Sequence, residues 1–119
     1  MATPPVYRCC QPSLLLDAVE GDRTVFLELA QIFRQETVAR FEDIARASAA
    51  GMLNDMGFEA HSLKGTVGTV GAAGLVVLLQ RIEHAGLKQV RACTALELAQ
   101  LRHLLQLARD DMDTFATML

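Results

Sequence analysis

The sequence predicts an all-α protein: an antiparallel up-down four-helix bundle with a short extra helix at its N-terminal end. Hydrophobic residues make up 51% of the chain but aromatic residues only 5%, and this Leu- and Ala-rich mixture suits packed helices better than β-sheets. Four long segments carry apolar residues at three-and-four spacing, which indicates helices with one buried face. Short connections join these segments, and short connections favour antiparallel neighbours.

A chain of 119 residues fits one domain, which can bury enough surface to fold without disulfides or metal ions. We expect that domain over residues 13–119. Residues 1–12 contain all three prolines, which obstruct helix formation, so this part is expected to be a flexible leader or the end of a linker. Cys9, Cys10 and Cys93 match neither a disulfide framework nor a metal-binding spacing.

The short first helix is expected to run from Ser13, as its N-cap, to about Glu20. Serine is a favoured N-cap because its hydroxyl accepts a hydrogen bond from a free backbone N–H group. Gly21 can end this helix in the left-handed conformation that other residues resist. Asp22 can then cap the next helix.

The second helix is predicted over residues 24–49 and is closed by Gly51. Its apolar positions follow one another at helical spacing: Phe26, Leu29, Phe33, Thr37, Phe41 and Ile44. The same pattern predicts three further helices, over residues 53–67, 72–85 and 94–118. Gly71 is expected to separate the third and fourth helices, and Gly86 to end the fourth.

The charge of the chain argues against nucleic acid as a partner. The formal net charge is -3, and the Lys and Arg residues are scattered rather than grouped into a basic surface. No apolar run reaches the roughly 20 residues of a membrane-spanning helix, and the start of the chain lacks the charged-then-apolar order of a signal peptide. We therefore expect a cytoplasmic protein that makes no membrane contact.

One stretch of the third predicted helix carries candidate chemistry. With roughly 100° between successive residues on a helical wheel, Lys64, Gly65 and Gly68 share one face with His61. The apolar residues of the segment fall on the other side, which must face the core: Met56, Ala60, Leu63, Val67 and Val70. His61 is therefore expected to point away from the core.

Gly65 and Gly68 are costly residues for a helix, since each lowers its stability by roughly 1 kcal/mol relative to alanine. Beside an exposed imidazole they leave bare backbone that a second protein can approach closely. Lys64 can neutralise an anion held there. Neutral imidazole is a nucleophile that can form a phosphoramidate, so the segment favours covalent phosphoryl transfer on His61.

The same segment lacks what an independent phosphoryl-transfer enzyme needs. It has no acidic cluster for magnesium and no Gly-rich phosphate loop that ends in Lys-Ser or Lys-Thr. We therefore expect a phosphoryl carrier rather than an enzyme, with no resident metal or cofactor. The metal and the catalytic acidic site would come from the partner.

His61, Lys64 and Gly65 form the pattern His-x-x-Lys-Gly, and Gly71 follows six residues after that glycine. Placed mid-bundle, with an amphipathic helix behind it, this pattern resembles the histidine-containing phosphotransfer (HPt) domains of multistep His-Asp phosphorelays. The resemblance implies that His61 accepts a phosphoryl group from an aspartate of one receiver domain and passes it to an aspartate of another. Lys64 would steady the phosphoryl group, and Gly71 would serve the turn between helices. Gly65 and Gly68 would leave room for the receiver domain.

The resemblance leaves two residues with alternative roles. Glu83 would accept a hydrogen bond from Nδ1 of His61 and leave Nε2 free to attack, or it would be a plain solvated carboxylate. Phe58 lies about 60° from His61 on the wheel, as a partner contact or as the edge of the core. The implied partners are response-regulator receiver domains, with a hybrid sensor histidine kinase as a further candidate.

Two other functions come from different classes of protein. A carboxylate-bridged metal bundle needs Glu-x-x-His on two helices, but the residues three positions before the three histidines are Phe58, Arg81 and Gln100. His84 and His103 are therefore expected to be surface residues. The alternative that stays open is a non-catalytic helical adaptor, or a degenerate HPt module, that binds a partner through the same face.

Overall fold

The computed structural model describes residues 7–119, and the regular secondary structure in this part of the chain consists of α-helices. Its five helices are α1 (Ser13–Ala18), α2 (Arg23–Ala49), α3 (Leu53–Gly68), α4 (Ala73–Leu87) and α5 (Ala95–Ala116). Both α2 and α4 pack against α3 and α5, so the four long helices enclose one core, and α1 packs on α2. The prediction of a four-helix bundle with a short N-terminal helix is confirmed.

Each long helix contributes large apolar side chains to the core at the spacing that the sequence predicts. Complete burial of one such side chain contributes about 1.5–3 kcal/mol. Thr37 is the polar residue of the apolar stripe predicted for α2, and its hydroxyl donates to the carbonyl oxygen of Phe33 at 2.9 Å. The fully buried side chains include Phe26, Ile44, Met56, Leu63, Leu75, Leu79, Leu101 and Leu105.

The first helix differs from its prediction at both ends. Its N-cap is Pro12 rather than Ser13, and no side chain caps it, so the prediction of Ser13 as the cap is wrong. Proline suits this position because its fixed φ is already that of a helix start. The helix ends at Ala18, before the expected Glu20, because Glu20 and Gly21 have φ angles of 55° and 77° that a right-handed helix cannot contain.

Side chains cap both α2 and α5. Asp22 caps α2 as predicted, since its Oδ1 accepts a hydrogen bond from the N–H of Val25 at 3.1 Å. At the start of α5 the N–H of Glu97 donates to the Thr94 hydroxyl at 3.0 Å, and the N–H of Thr94 donates to the Glu97 carboxylate at 2.9 Å. Arg91 also donates to that carboxylate and holds the pKa of Glu97 below its ordinary value.

Gly71 separates α3 from α4 as predicted. Its φ of 67° lies in the left-handed region, which glycine adopts without steric cost. A Cβ at this position would also lie 2.7 Å from Cδ1 of Leu14. Both observations indicate a structural requirement for glycine at this turn.

Gly86 does not end the fourth helix, so that prediction is wrong. The helix continues through Gly86 to Leu87, and the residue with positive φ beyond it is Gln89. Gly86 is buried against Gly57 of α3, and a Cβ on Gly86 would lie 2.6 Å from the backbone nitrogen of Gly57. Glycine therefore serves a close approach of two helices here rather than a helix end.

The predicted leader, residues 1–12, falls into two parts. Residues 1–6, with two of its three prolines, lie outside the described residues. The remaining part packs against α5, where the buried carboxylate of Asp111 accepts three backbone N–H groups at 3.1, 2.7 and 3.0 Å. The donors are three consecutive residues: Arg8, Cys9 and Cys10. The segment before Pro12 is not helical, so its backbone N–H groups are free to bind a side chain.

The three cysteines are free thiols. Burial raises the pKa of Cys9, Cys10 and Cys93, in the case of Cys10 to about 12. A thiol with a raised pKa is a poor nucleophile. None of the helices within residues 7–119 combines the length and apolar character needed to cross a membrane; the cytoplasmic location stays a prediction.

Candidate functional site

His61 lies near the middle of α3 with its side chain in solvent. The helix positions it there because Ala60 and Leu63, on the opposite face, are completely buried in the core. The imidazole is 65% exposed, so a partner molecule can reach it. This is the orientation that the helical wheel predicts.

Glu83 of α4 binds both His61 and Lys64. Nδ1 of His61 lies 3.2 Å from Oε2 of Glu83 and 3.3 Å from Oε1. The ammonium of Lys64 donates to Oε1 at 2.6 Å and to Oε2 at 3.2 Å. The hydrogen bond from Lys64 holds the pKa of Glu83 below its ordinary value, and the contact with His61 acts in the same direction against the effect of burial. The Glu83 side chain is only 14% exposed. This geometry does not fit the alternative that Glu83 is a plain solvated carboxylate.

The contact with Glu83 determines which nitrogen of His61 can react. An ionised carboxylate can only accept hydrogen bonds, so Nδ1 must carry the proton in this contact. In the neutral ring Nε2 then holds the free lone pair. No side chain or backbone group within residues 7–119 donates a hydrogen bond to Nε2. The exposed imidazole therefore presents a nucleophilic nitrogen to solvent.

The surface beside His61 is bare backbone. Gly65 and Gly68 are exposed, and no atom would lie within 4 Å of a Cβ at either position. Phe58, one turn before His61 on α3, is 62% exposed, so most of its surface is accessible to a partner, and its role as a partner contact stays a prediction. His84 and His103 are also exposed, as expected, but neither contacts this cluster.

An apolar groove that the sequence did not predict lies beside the glycines. The groove has a volume of about 390 Å³ and lies between α2 and α3, with Leu29 and Ile32 on one side and Thr66 and Thr69 on the other. Ile32 is 50% exposed. The sequence indicates this exposure, because Ile32 lies about 100° from Phe33 on the helical wheel. An apolar side chain therefore lies outside the buried stripe of α2.

The Hpt domain family model matches residues 28–111. The chain belongs to the Hpt domain family. No curated protein and no solved structure matches it. The matched range of this Hpt domain contains α3, α4 and most of α2 and α5, and therefore the whole cluster of His61, Lys64 and Glu83.

Membership of this family implies a phosphotransfer role in His-Asp phosphorelays. Hpt domains are phosphocarrier modules rather than catalysts, and their partners are receiver domains of phosphorelay proteins. The exposed imidazole of this Hpt domain has the chemistry that such a carrier requires, because a nucleophilic ring nitrogen can hold a phosphoryl group covalently.

Proposed function

We propose that His61 takes a phosphoryl group from an aspartyl phosphate on one receiver domain and gives it to an aspartate on another. In the first step the lone pair of Nε2 attacks phosphorus, a P–N bond forms, and the P–O bond to the aspartate breaks. The aspartate leaves as a carboxylate, and the ring becomes positively charged with its proton on Nδ1. Attack by the second aspartate carboxylate reverses these bond changes and releases the neutral imidazole.

The contact between Glu83 and Nδ1 is the observation that carries this proposal. It supports attack through Nε2 because the Nδ1 proton is held at the carboxylate. It also supports the phosphorylated form, since the new positive charge of the ring would lie 3.2 Å from a carboxylate oxygen, and a nearby opposite charge favours a charged group. We assign Glu83 the role of orienting His61.

We assign Lys64 the role of steadying the transferred group. Its ammonium is oriented by Glu83 and lies on α3 one turn beyond His61. An ammonium has three N–H donors, so at least one is available to a phosphoryl oxygen while Glu83 is bound. The charge of Lys64 would offset part of the negative charge that phosphorylation adds.

We propose that the receiver domain docks over Gly65 and Gly68. The open space at these positions lets the partner bring its aspartyl phosphate up to Nε2 without meeting a side chain of this domain. Phe58 on α3 and Ile32 in the groove would supply apolar contacts near the glycines. The receiver domain would also supply the metal ion and the acidic residues, with a hybrid sensor histidine kinase as the upstream protein.

Transfer of label from a phosphorylated receiver domain tests this function. We expect the parent protein to acquire label that is stable in base and labile in acid, as a phosphoramidate is. His61→Gln should remain fully helical by circular dichroism and take up no label. His84→Gln is the matched control, because it removes another exposed histidine, and it should be labelled like the parent.

Two results would contradict the proposal. Label on the folded His61→Gln variant would place the acceptor elsewhere. A parent protein that binds the receiver domain and never acquires label would instead support the adaptor function.

A further inference from the structure

Two buried glycines meet where α3 crosses α4. A Cβ added to Gly86 would lie 2.6 Å from the backbone nitrogen of Gly57 and 2.6 Å from the carbonyl oxygen of Leu53. A Cβ added to Gly57 would lie 2.8 Å from the backbone nitrogen of Leu87. Backbone atoms cannot turn aside as the end of a flexible side chain can. The two helices are therefore in direct backbone contact at this crossing.

The glycine contact lies next to the His61 site on the same side of the helix pair. Gly57 comes about one helical turn before His61, and Gly86 about one turn after Glu83. Gly57 contacts Gly86, and His61, which is later in α3, contacts Glu83, which is earlier in α4. The helices run in opposite directions, and the two contacts are neighbours along them.

We infer that Gly57 and Gly86 are positioning residues for the His61 site: their backbone contact sets the spacing of α3 and α4 at which Glu83 reaches His61. This inference rests on the function proposed above. Packed helices ordinarily have their axes about 8–10 Å apart, depending on the side chains at the contact. With no side chain at this crossing, the helices approach until their backbones touch.

The spacing of α3 and α4 matters because the hydrogen bond between His61 and Glu83 is already long. Ordinary van der Waals contact of a Cβ begins at 3.4 Å, so a methyl group on Gly86 would have to move neighbours that would otherwise lie at 2.6 Å. Overpacking of this kind shifts backbone. Nδ1 of His61 is 3.2 Å from Glu83, already at the long end of hydrogen-bond distances. A further separation of the helices would therefore break this hydrogen bond.

Gly86→Ala and Gly57→Ala test the inference on the protein without any phosphoryl donor. The first measurement is the pKa of the Glu83 carboxyl, from its ¹³C chemical shift against pH. We expect this pKa to rise toward its ordinary value in both variants, because Lys64 and His61, which lower it in the parent, would be farther away. The second measurement is the ¹⁵N spectrum of the His61 ring, in which the Nδ1–H tautomer should lose its dominance.

Phosphoryl transfer from a labelled receiver domain is the third measurement. Misplacement of a reacting group by about 1 Å can cost 100-fold in rate, so we expect a fall of about 10- to 100-fold. Gly74→Ala is the matched control, because Gly74 is an exposed glycine of α4 with no atom within 4 Å of its Cβ position. This control should keep the parental Glu83 pKa, His61 tautomer and transfer rate.

Gly57→Ala decides the test if Gly86→Ala does not fold, because its overlap is milder: its Cβ would come no closer to backbone than 2.8 Å, against 2.6 Å for Gly86, and its other two nearest atoms belong to the Leu87 side chain. A folded variant with the parental Glu83 pKa and His61 tautomer would overturn the inference. So would a variant in which both have changed and transfer is unaffected. Failure of the parent to transfer would count against the proposed function alone, since the pKa and the tautomer are measured independently of transfer.

Discussion

Glycines occupy two contrasting regions of α3, on either side of His61. Gly65 lies four residues after His61 on an open surface, where no atom would come within 4 Å of a Cβ. Gly57 lies four residues before it in a buried crossing, where a Cβ would overlap the backbone of Leu87. In helical peptides both residues would lower stability by about 1 kcal/mol relative to alanine.

One helix therefore uses the absence of a side chain in two ways. At Gly57 another helix of the same chain takes up the space, which fixes the arrangement of α3 and α4. At Gly65 the space is empty, and we propose that a receiver domain enters it. The two glycines lower helix propensity equally. Gly57 allows close packing within the folded domain, whereas Gly65 would allow close approach of the receiver domain in the complex.

The largest expected effect comes from filling the open region. Gly65→Gln or Gly68→Gln should lower transfer from a phosphorylated receiver domain by about 100-fold or more, because the new side chain would lie between His61 and the incoming aspartyl phosphate. Labelling by a small-molecule phosphoryl donor should be unaffected, since it needs no docking surface. The measurement compares, for each variant, the rate of labelling by the receiver domain with the rate of labelling by the small-molecule donor.

Gly74→Gln is the matched control for the open region. It makes the same change at an exposed glycine that lies about 180° around α4 from Glu83, so transfer should stay at the parental rate. Full transfer from the receiver domain to Gly65→Gln would break the distinction between the two kinds of glycine.

Lys64 lies at the border between the open surface and the α3–α4 contact. Lys64→Ala should shorten the lifetime of the phosphorylated protein by about 10- to 100-fold, since a charge-assisted hydrogen bond contributes roughly 1.5–3 kcal/mol. The decay of label on the isolated phosphorylated protein measures this lifetime. Lys88→Ala, at an exposed position just beyond α4, is the control. Equal lifetimes for the two variants would mean that Lys64 only binds Glu83 of α4 and does not stabilise the phosphoryl group.

Stability should change in opposite directions in the two regions. Gly57→Ala should lower the free energy of unfolding by about 1–3 kcal/mol, because an extra methyl group overpacks a filled crossing. Gly65→Ala should raise it by up to about 1 kcal/mol, because alanine has the higher helix propensity and its methyl group meets nothing. Urea denaturation of both variants measures the difference. Changes of the same sign would contradict the contrast.

The smallest expected effect is the pH dependence of the Glu83 contact. The folded-state pKa of Glu83 is lowered, so its contribution to stability is fully present above the ordinary carboxyl pKa of about 4.3 and is lost as pH falls through the lowered value. The parent should therefore exceed Glu83→Gln in stability by up to about 1 kcal/mol at pH 7 and lose this advantage in acid. An advantage that persists below pH ~2 would mean that the charge of Glu83 is not its source.

Local patterns in the sequence were sufficient for the four long helices, apart from the end of α4, and for the direction of His61. The apolar spacing of α2 and α5 depends only on which side chains face the core, and the wheel that places His61 outside uses the same rule. The contact of Glu83 with His61 was implied by the family resemblance and not by spacing. It depends on the relative position of two helices, which no local pattern specifies.

The wrong prediction at Gly86 has the same cause, whereas the one at Ser13 is a local error. Gly86 follows a helical segment as a terminating glycine would, and only the presence of Gly57 across the crossing shows that the helix continues. Ser13 is a favoured N-cap by residue type, but the helix starts one residue earlier because Pro12 fits there. Ile32 interrupts the polar surface of α2, and its meaning becomes visible only when α3 forms the other side of the groove.

The binding of the N-terminal segment to Asp111 has a consequence for the order of folding. The three hydrogen bonds join residues that are 101 to 103 positions apart in the chain. Contacts of such long range are entropically costly to form while the chain between them is unfolded. Once the bundle has assembled, α5 presents one buried carboxylate to three consecutive N–H groups. We therefore expect the segment from Arg8 to Cys10 to dock last, onto a surface that the rest of the domain has already built.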